Sequence, residues 1–299
     1  MTGIHILLTY KCLFECDHCF VYSSPQSEGT FTYKQICKVL DESIKIGTIK
    51  WIYFEGGEPF LYYPLLLEGV KEASLRGFKV GIVTNAYFAT SEQDAEKWLV
   101  PLSKMDVCDL RISNDLFHSE DQNSSYAKNA LNSARKLGLS AGTIAIDEPT
   151  TKKKNRTRKK GEPIVEGDVM FKGRAIEKLS AGLPRVNWKE FTECPFEDLV
   201  SPERVHVDAF GNVHLCQGIS MGNMWKTPLS VLVKNYKIES HPICKFISNG
   251  GPIKLTEQYG VIHEDFYIDA CHLCFETRKK LIDKFPHFLA PRQVYGLED

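Results

Sequence analysis

Apolar and polar residues alternate along the first 170 residues in blocks that predict strands and helices in turn. Short apolar runs that are typical of buried strands occur at 4–8, 51–54, 80–84, 110–113, 142–146 and 164–171. Such alternation predicts parallel strands joined by right-handed helical crossovers. About six of these units indicate an α/β fold, a partial (β/α)6 barrel of the TIM type rather than a closed eightfold one.

Amphipathic helical patterns separate these apolar runs, at about 31–46, 62–76, 91–103 and 122–137. The first pattern has an apolar stripe that we expect to face the core, formed by Ile36, Val39, Leu40 and Ile44. Glycines follow three of the patterns, at Gly47, Gly77 and Gly138. Glycine is the usual residue at the left-handed position that ends a helix, so these glycines support the predicted helix ends.

The pattern changes after about residue 185. Two short apolar runs, 204–207 and 213–215, flank a turn-forming segment at 208–212, and together they predict a β-hairpin. Short loops and helices follow, and the last predicted helix covers 275–285. We therefore expect two domains, a barrel at 1–185 and a smaller domain of hairpin and helices at 186–299.

Composition narrows the possible partners. The chain of 299 residues has a formal net charge of −1, which argues against a general attraction to nucleic acid or to an anionic membrane. No apolar run approaches the roughly 20 residues that a membrane span needs. The N-terminal sequence lacks the pattern of a secretory signal, so we expect a cytoplasmic protein.

One segment departs from this balanced charge. Seven of the eleven residues at 151–161 are Lys or Arg. We expect an exposed, solvated loop there, and an electrostatic contact with an acidic substrate or partner is the alternative.

The ten cysteines of the chain point to metal binding or catalysis, because disulfides are rare in a reducing compartment. Cys12, Cys16 and Cys19 follow the first predicted strand, and in a parallel barrel this loop lies on the face where active sites form. Three thiolates can hold three irons of a four-iron cluster and leave the fourth iron open to a ligand. A zinc site completed by His18 or His5 is an alternative, as are plain buried thiols.

The spacing Cys-x3-Cys-x2-Cys after the first strand resembles the signature of the radical S-adenosylmethionine (SAM) enzymes. The resemblance implies a [4Fe–4S] cluster on Cys12, Cys16 and Cys19, which are then the catalytic residues. It implies reductive cleavage of SAM to a 5′-deoxyadenosyl radical that abstracts a hydrogen atom from the substrate. It also implies an electron donor such as flavodoxin or ferredoxin. His18 stands where the family usually has an aromatic residue.

Polar motifs at the ends of later strands resemble the SAM contacts of that family. The segment after the second strand matches the family's GGEP motif with Gly56, Gly57, Glu58 and Pro59. In the family, the backbone and the carboxylate of this motif receive the methionyl amino group. The other SAM contacts that the resemblance implies are Thr84, Asn85, Ser113, Asp115 and Arg174. Arg174 is the candidate partner of the methionyl carboxylate, and an ordinary loop role is the alternative for each of these residues.

A second cysteine group lies near the C-terminus. Its members flank the predicted hairpin or form a CxxC motif, and they are Cys194, Cys216, Cys271 and Cys274. Four thiolates fit a fully ligated four-iron cluster or a structural zinc ion. With Gly211 five residues before Cys216, the layout resembles the auxiliary-cluster extension called a SPASM or twitch domain, in its shorter twitch form. Cys244 is a spare that could replace one ligand.

Two cysteines stand apart from both groups. Cys37 lies in a helical pattern and Cys108 lies just before a strand. We expect both to be small buried apolar residues.

The resemblance implies a net oxidation, because family members with such an extension mostly carry one out. The favoured substrate is a peptide or protein side chain, which is oxidised or cross-linked. A dehydrogenase or rearrangement enzyme for a small molecule is the first alternative. A tRNA- or cofactor-modifying enzyme that docks through the basic segment 152–160 is the second, and a non-catalytic metal-binding protein is the third.

Overall fold

The computed structural model describes residues 1–118, 125–155 and 157–298. Its strands are β1 (Gly3–Thr9), β2 (Trp51–Gly56), β3 (Lys79–Thr84), β4 (Val107–Ser113), β5 (Ala141–Ile144), β6 (Val186–Asn187), β7 (Arg204–Asp208), β8 (Asn212–Cys216), β9 (Ile219–Asn223) and β10 (Phe266–Tyr267). Its helices are α1 (Tyr33–Ile46), α2 (Tyr63–Leu75), α3 (Glu92–Ser103), α4 (Ser125–Lys136), α5 (Arg174–Leu179), α6 (Leu229–Asn235), α7 (Cys244–Ser248), α8 (Gly251–Tyr259) and α9 (Ala270–Leu281).

An open sheet forms the centre of the molecule, with the strand order β5-β4-β3-β2-β1-β7-β8-β9. The strands β1 to β5 are parallel and alternate with the helices α1 to α4, which confirms the α/β partial barrel. Alternate residues of β1, such as Ile4 and Ile6, are fully buried against the helical layer. The separate pair of β6 and β10 is antiparallel.

The helix ends agree with the sequence prediction, but the buried face of α1 is rotated relative to the apolar stripe that was predicted for it. Gly47, which ends α1, has a φ of 78°, the left-handed conformation that glycine adopts without a steric penalty. Ile36, Val39 and Leu40 are buried as predicted, whereas Ile44 is half exposed. Ser43 is buried in its place, because a residue seven positions after Ile36 lies within about 20° of its direction on the helix.

The prediction of a sixth strand at 164–171 is wrong. This segment turns back on the preceding loop, where the Lys154 N–H donates to the Ile164 carbonyl at 3.1 Å. Gly167 has a φ of +111°, and this interrupts the extended conformation that a strand needs. A sixth parallel strand would add beside β5, and among the described residues the sheet ends at β5.

The predicted hairpin is confirmed, and it continues the barrel sheet. β7 pairs antiparallel with β8, and it also pairs in parallel with β1, so that Ile4 lies beside Val205 and Ile6 beside Val207. Residues of β7 and β8 belong to the same hydrophobic core as β1. The sheet and the core thus extend across residue 185. The domain boundary at this residue stays a prediction.

The basic segment is largely exposed where the structure describes it, and Arg156 lies outside the described residues. The first three positions of the helical pattern predicted at 122–137 also lie outside them. None of the helices in the described ranges has both the length and the apolar character to cross a membrane.

The pairing of β7 with β1 predicts that residues 1–185 do not fold alone. Without β7, the backbone edge of β1 and the core side of Ile4 and Ile6 are uncovered, and such an edge promotes aggregation. We expect a fragment of residues 1–185 to aggregate or to unfold without cooperativity, as measured by size-exclusion chromatography and thermal melting beside the full chain. A monomeric fragment with a cooperative transition would contradict this.

Candidate functional site

A cavity of about 300 Å³ lies at the carboxyl ends of the parallel strands. This volume is within the range of small-molecule and cofactor sites. Most of the residues that the sequence predicts for the cluster and for SAM line it, namely Cys12, Cys16, Cys19, Gly56, Gly57, Thr84, Asn85, Ser113 and Asp115. Strand ends separated by up to about 100 residues in the chain thus supply one wall.

The three N-terminal thiols lie close enough to influence one another. Burial raises the pKa of Cys12 to about 11, and the neighbouring Glu58 and Cys19 add to this. Burial also raises the pKa of Cys16, with further contributions from Cys19 and Cys12. Because the pKa values of Cys12 and Cys16 are raised, these two thiols hold their protons in the absence of a metal, and metal binding must release them. Three neighbouring thiols that are buried or partly buried at one cavity match the ligand set of an iron–sulfur cluster.

The Gly-Gly turn after β2 is joined to the chain that leads from β1 to Cys12. The Gly57 N–H donates to the Thr9 carbonyl at 2.7 Å, and the Glu58 N–H donates to the Lys11 carbonyl at 2.9 Å. A Cβ atom at Gly57 would lie 2.3 Å from the Lys11 carbonyl oxygen, which no side chain tolerates. Glycine is therefore required here for a close approach of two backbones, as well as for any approach of a ligand.

Glu58 is fully buried and ties this turn to the end of β3. Its Oε1 accepts hydrogen bonds from the Phe60 N–H at 3.0 Å and from the Thr84 hydroxyl at 2.8 Å. Its Oε2 accepts from the Asn85 N–H at 2.7 Å. Burial raises the pKa of Glu58 to about 7, although these hydrogen bonds lower it in part. Its contact with a methionyl amino group stays a prediction, as does any role of the buried Pro59 beside it.

The Glu58 contact also positions Asn85 against the first cysteine. The Asn85 Nδ2 lies 3.6 Å from the Cys12 Sγ, and the Phe14 N–H donates to the same sulfur at 3.4 Å. Hydrogen bonds to a ligand sulfur stabilise its thiolate form, and in metal sites they tune the metal.

Arg174 holds the cysteine loop through its backbone. The guanidinium donates to the Cys16 carbonyl and to the Ser23 carbonyl, both at 2.8 Å. The Arg174 N–H donates to the Cys19 carbonyl at 3.0 Å. A clamp on this loop is a role that sequence reasoning did not assign to Arg174, and its contact with a SAM carboxylate stays a prediction.

Two histidines meet at the far side of the loop, and sequence reasoning missed one of them. The His118 Nδ1 lies 2.7 Å from the Asp115 Oδ1, and His118 packs edge-on against His18. Burial lowers the pKa of His18 to about 4, with a further decrease from His118, so His18 is neutral at pH 7. The sequence signal that could have identified His118 is its position three residues after Asp115, just beyond a strand.

Glu55 on the cavity wall was also missed. Its carboxylate lies 3.1 Å from the Nδ1 of His5 and 3.1 Å from the Nε2 of His206. Burial alone would raise the pKa of Glu55, but the two histidines hold it well below its usual range. The sequence contains no signal for this cluster, because His206 reaches it only through the unexpected pairing of β7 with β1.

The C-terminal cysteines form a second site. A small cavity of about 20 Å³ is lined by all four of the predicted ligands, Cys194, Cys216, Cys271 and Cys274. The helix α9 begins earlier than predicted, so that the CxxC motif lies in its first turns. The Asp269 side chain caps this helix by accepting the His272 N–H at 2.7 Å.

Two buried cations, Lys172 and Arg278, line the same cavity. Burial alone would lower the pKa of Lys172, but the neighbouring Cys216, Cys271 and Glu197 raise it above its usual value. Burial raises the pKa of Cys274 to about 11, and Arg278 opposes part of that increase.

The remaining cysteines differ in their surroundings. Cys244 is fully buried and lies near enough to Cys216 and Cys274 to contribute to the electrostatics of the second site. Cys37 is half-buried. The prediction of a buried Cys108 is wrong, because its side chain lies on an exposed position of β4.

The profile of the radical SAM superfamily matches residues 6–161, just over half of the chain. The chain belongs to the radical SAM superfamily. Membership implies a [4Fe–4S] cluster and SAM. The first cavity fits both, since it brings three thiols together beside a Gly-Gly turn and the polar strand ends.

Two curated relatives match part of this superfamily chain. It is 31% identical over 133 residues to the YydG protein of Bacillus subtilis (strain 168), whose name refers to peptide biosynthesis. It is 36% identical over 93 residues to the tungsten-containing aldehyde ferredoxin oxidoreductase cofactor-modifying protein of Pyrococcus furiosus. These matches cover 44% and 31% of this chain, and 42% and 26% of the two relatives. The chain thus aligns with less than half of either relative.

Solved structures of low sequence identity also match. The structure of BtrN in an open conformation has a TM-score of 0.47 at 16% identity, over 84% of this chain and 86% of BtrN. The structure of anSMEcpe with bound AdoMet and a peptide has a TM-score of 0.46 at 12% identity, over 95% and 96% of the two chains.

The tight junction at Gly57 predicts the effect of a single methyl group. We expect Gly57→Ala to destabilise the protein by about 1–3 kcal/mol and to reduce its iron content, because the Cβ must displace the backbone before Cys12. The measurements are denaturant unfolding and iron analysis after anaerobic reconstitution. Gly3→Ala is the matched control, since its Cβ would make only ordinary contact at 3.5 Å. Equal stability and iron content in the two variants would contradict the role of Gly57.

Proposed function

We propose that this radical SAM protein abstracts a hydrogen atom from a peptide or protein side chain and completes a net oxidation or cross-link. The observation that carries the proposal is the convergence of three thiols, the Gly-Gly turn and the polar strand ends on one cavity of about 300 Å³. The four thiols that line the second cavity provide a candidate electron acceptor for the same reaction.

Each part of the first site has a role in this proposal. Cys12, Cys16 and Cys19 would hold three irons of the cluster and leave the fourth iron available to SAM. The SAM molecule contacts the backbone of the Gly-Gly turn and the polar side chains at the strand ends, namely Thr84, Asn85, Ser113 and Asp115. When bound, the cluster supplies one electron that breaks the C5′–S bond of SAM and yields methionine and the 5′-deoxyadenosyl radical.

A net oxidation requires that the substrate radical lose one further electron and a proton. We assign the electron to a centre on Cys194, Cys216, Cys271 and Cys274, proposed as an auxiliary [4Fe–4S] cluster of twitch type. The buried Lys172 and Arg278 beside these thiols support a site that carries net negative charge. A cavity of about 20 Å³ holds one water-sized occupant, and this observation favours a single zinc ion as the second candidate.

The class of substrate has support from one relative. The name of the YydG protein refers to peptide biosynthesis, and this favours a peptide. The name of the relative from Pyrococcus furiosus refers to modification of a cofactor, and this supports a small-molecule substrate as the alternative. The test is to incubate a short peptide encoded beside this gene with the enzyme, SAM and dithionite. A loss of two hydrogens from the peptide, measured by mass spectrometry, would establish a peptide substrate.

The first site is tested by SAM cleavage. After anaerobic reconstitution with iron and sulfide, we expect dithionite and SAM to give 5′-deoxyadenosine with the wild type and none with Cys16→Ala, since two thiols do not hold the cluster. The product is measured by liquid chromatography. Cys108→Ala, which removes an exposed thiol outside both cavities, is the matched control. Cleavage by Cys16→Ala at the wild-type rate would refute the assignment.

The second site is tested by removing the CxxC motif. We expect the double variant Cys271→Ala with Cys274→Ala to contain ~4 rather than ~8 irons per chain. It should still form 5′-deoxyadenosine but no oxidised product, because the electron acceptor is lost. Metal analysis and product analysis measure the two effects. Unchanged iron together with the loss of one zinc per chain would establish the zinc site instead.

A further inference from the structure

One side chain lies between the two cysteine sites. The Nζ of Lys172 is 3.9 Å from the Sγ of Cys216 in the second site. The same Nζ lies over the ring of Phe20, 5.1 Å from its centroid, and Phe20 directly follows Cys19 of the first site. Lys172 therefore contacts a ligand of one proposed centre and the neighbour of a ligand of the other.

The backbone around Lys172 is attached to both sites. On one side, Gly173 lies so close to the cysteine loop that a Cβ atom would be 2.5 Å from the Cys19 carbonyl oxygen. On the other side, the Phe171 N–H donates to the Oδ2 of Asp269 at 3.3 Å, the side chain that also caps α9. The segment 171–174 thus joins the loop of the first site to the helix that carries Cys271 and Cys274.

The two buried cations of the second site gain further anionic partners, beside Glu197, when its thiols are ionised. A buried ammonium is costly unless anionic groups surround it. Lys172 and Arg278 are both almost completely buried, and Arg278 donates to the Cys274 carbonyl at 3.3 Å. Four thiolates around a centre with two positive charges leave two negative charges in excess, and these two cations offset them.

We propose that Lys172 raises the reduction potential of the centre on the C-terminal cysteines and holds that centre against the loop of the first cluster. This inference rests on the auxiliary [4Fe–4S] cluster of the proposed function. Reduction adds one electron to a centre whose ligand sulfur lies beside an ammonium group in a buried site. The ammonium stabilises the reduced state more than the oxidised state, so electron uptake from a substrate radical becomes more favourable. Lys172 acts as a positioning residue in this reaction, since it works through the ligand.

The test is a redox titration of the reconstituted full-length protein, followed by electron paramagnetic resonance with SAM present. Binding of SAM changes the signal of the first cluster and so separates it from the auxiliary signal. We expect Lys172→Met and Lys172→Gln to lower the equilibrium constant for reduction of the auxiliary centre at least tenfold, which is 59 mV for one electron. Lys172→Arg should keep the wild-type potential, because it keeps the charge.

The control is Lys178→Met, which removes an exposed lysine six residues further along the chain and should leave the potential unchanged. An unchanged potential in both neutral variants with full iron content would overturn the inference while the auxiliary cluster stands. A decrease in Lys172→Met alone would also overturn it, since both variants remove the charge. Zinc in place of iron at the second site, found by metal analysis of the wild type, would overturn the proposed cluster itself.

Discussion

The candidate site depends on the hydrogen-bonded junction between the turn after β2 and the chain that leaves β1. Gly57 and Glu58 donate to carbonyls of the two residues on either side of Tyr10, and there is no room at Gly57 for a side chain. This contact fixes where the segment leading to Cys12 begins. Glu58 extends the junction to Thr84 and Asn85, so the ends of three strands are held in one rigid arrangement beneath the cavity.

The cysteine loop is held from a second direction by the segment that carries Arg174. This segment donates to the carbonyls of Cys16 and Cys19 and, through Phe171, reaches the N-terminal cap of α9. The segment therefore connects the C-terminal helix to the loop of the first site by hydrogen bonds. The two cysteine sets therefore belong to one hydrogen-bonded framework.

Charge is distributed differently in the two sites. The first cavity has an ionised Glu55 between two histidines and a neutral His18 beside the thiols. The second has two buried cations against four thiols. Buried charges are tolerated only with partners of opposite sign, and ionised thiols at the second site would join Glu197 as partners of its two cations. The two cavities also differ in size, since the first has a volume of about 300 Å³ and the second about 20 Å³.

The sequence by itself determined the features that depend on local spacing. These are the strands β1 to β5, the helices between them, the hairpin of β7 and β8, and the two cysteine groups, because hydrophobic period, cap glycines and ligand spacing act over a few residues. Only the tertiary structure decided the rest. The features that depend on tertiary structure are the pairing of β7 with β1 that brings His206 to Glu55, the exposure of Cys108, and the contact of Lys172 with Cys216. Each of these depends on which distant segment lies alongside, and local patterns contain no information about such long-range choices.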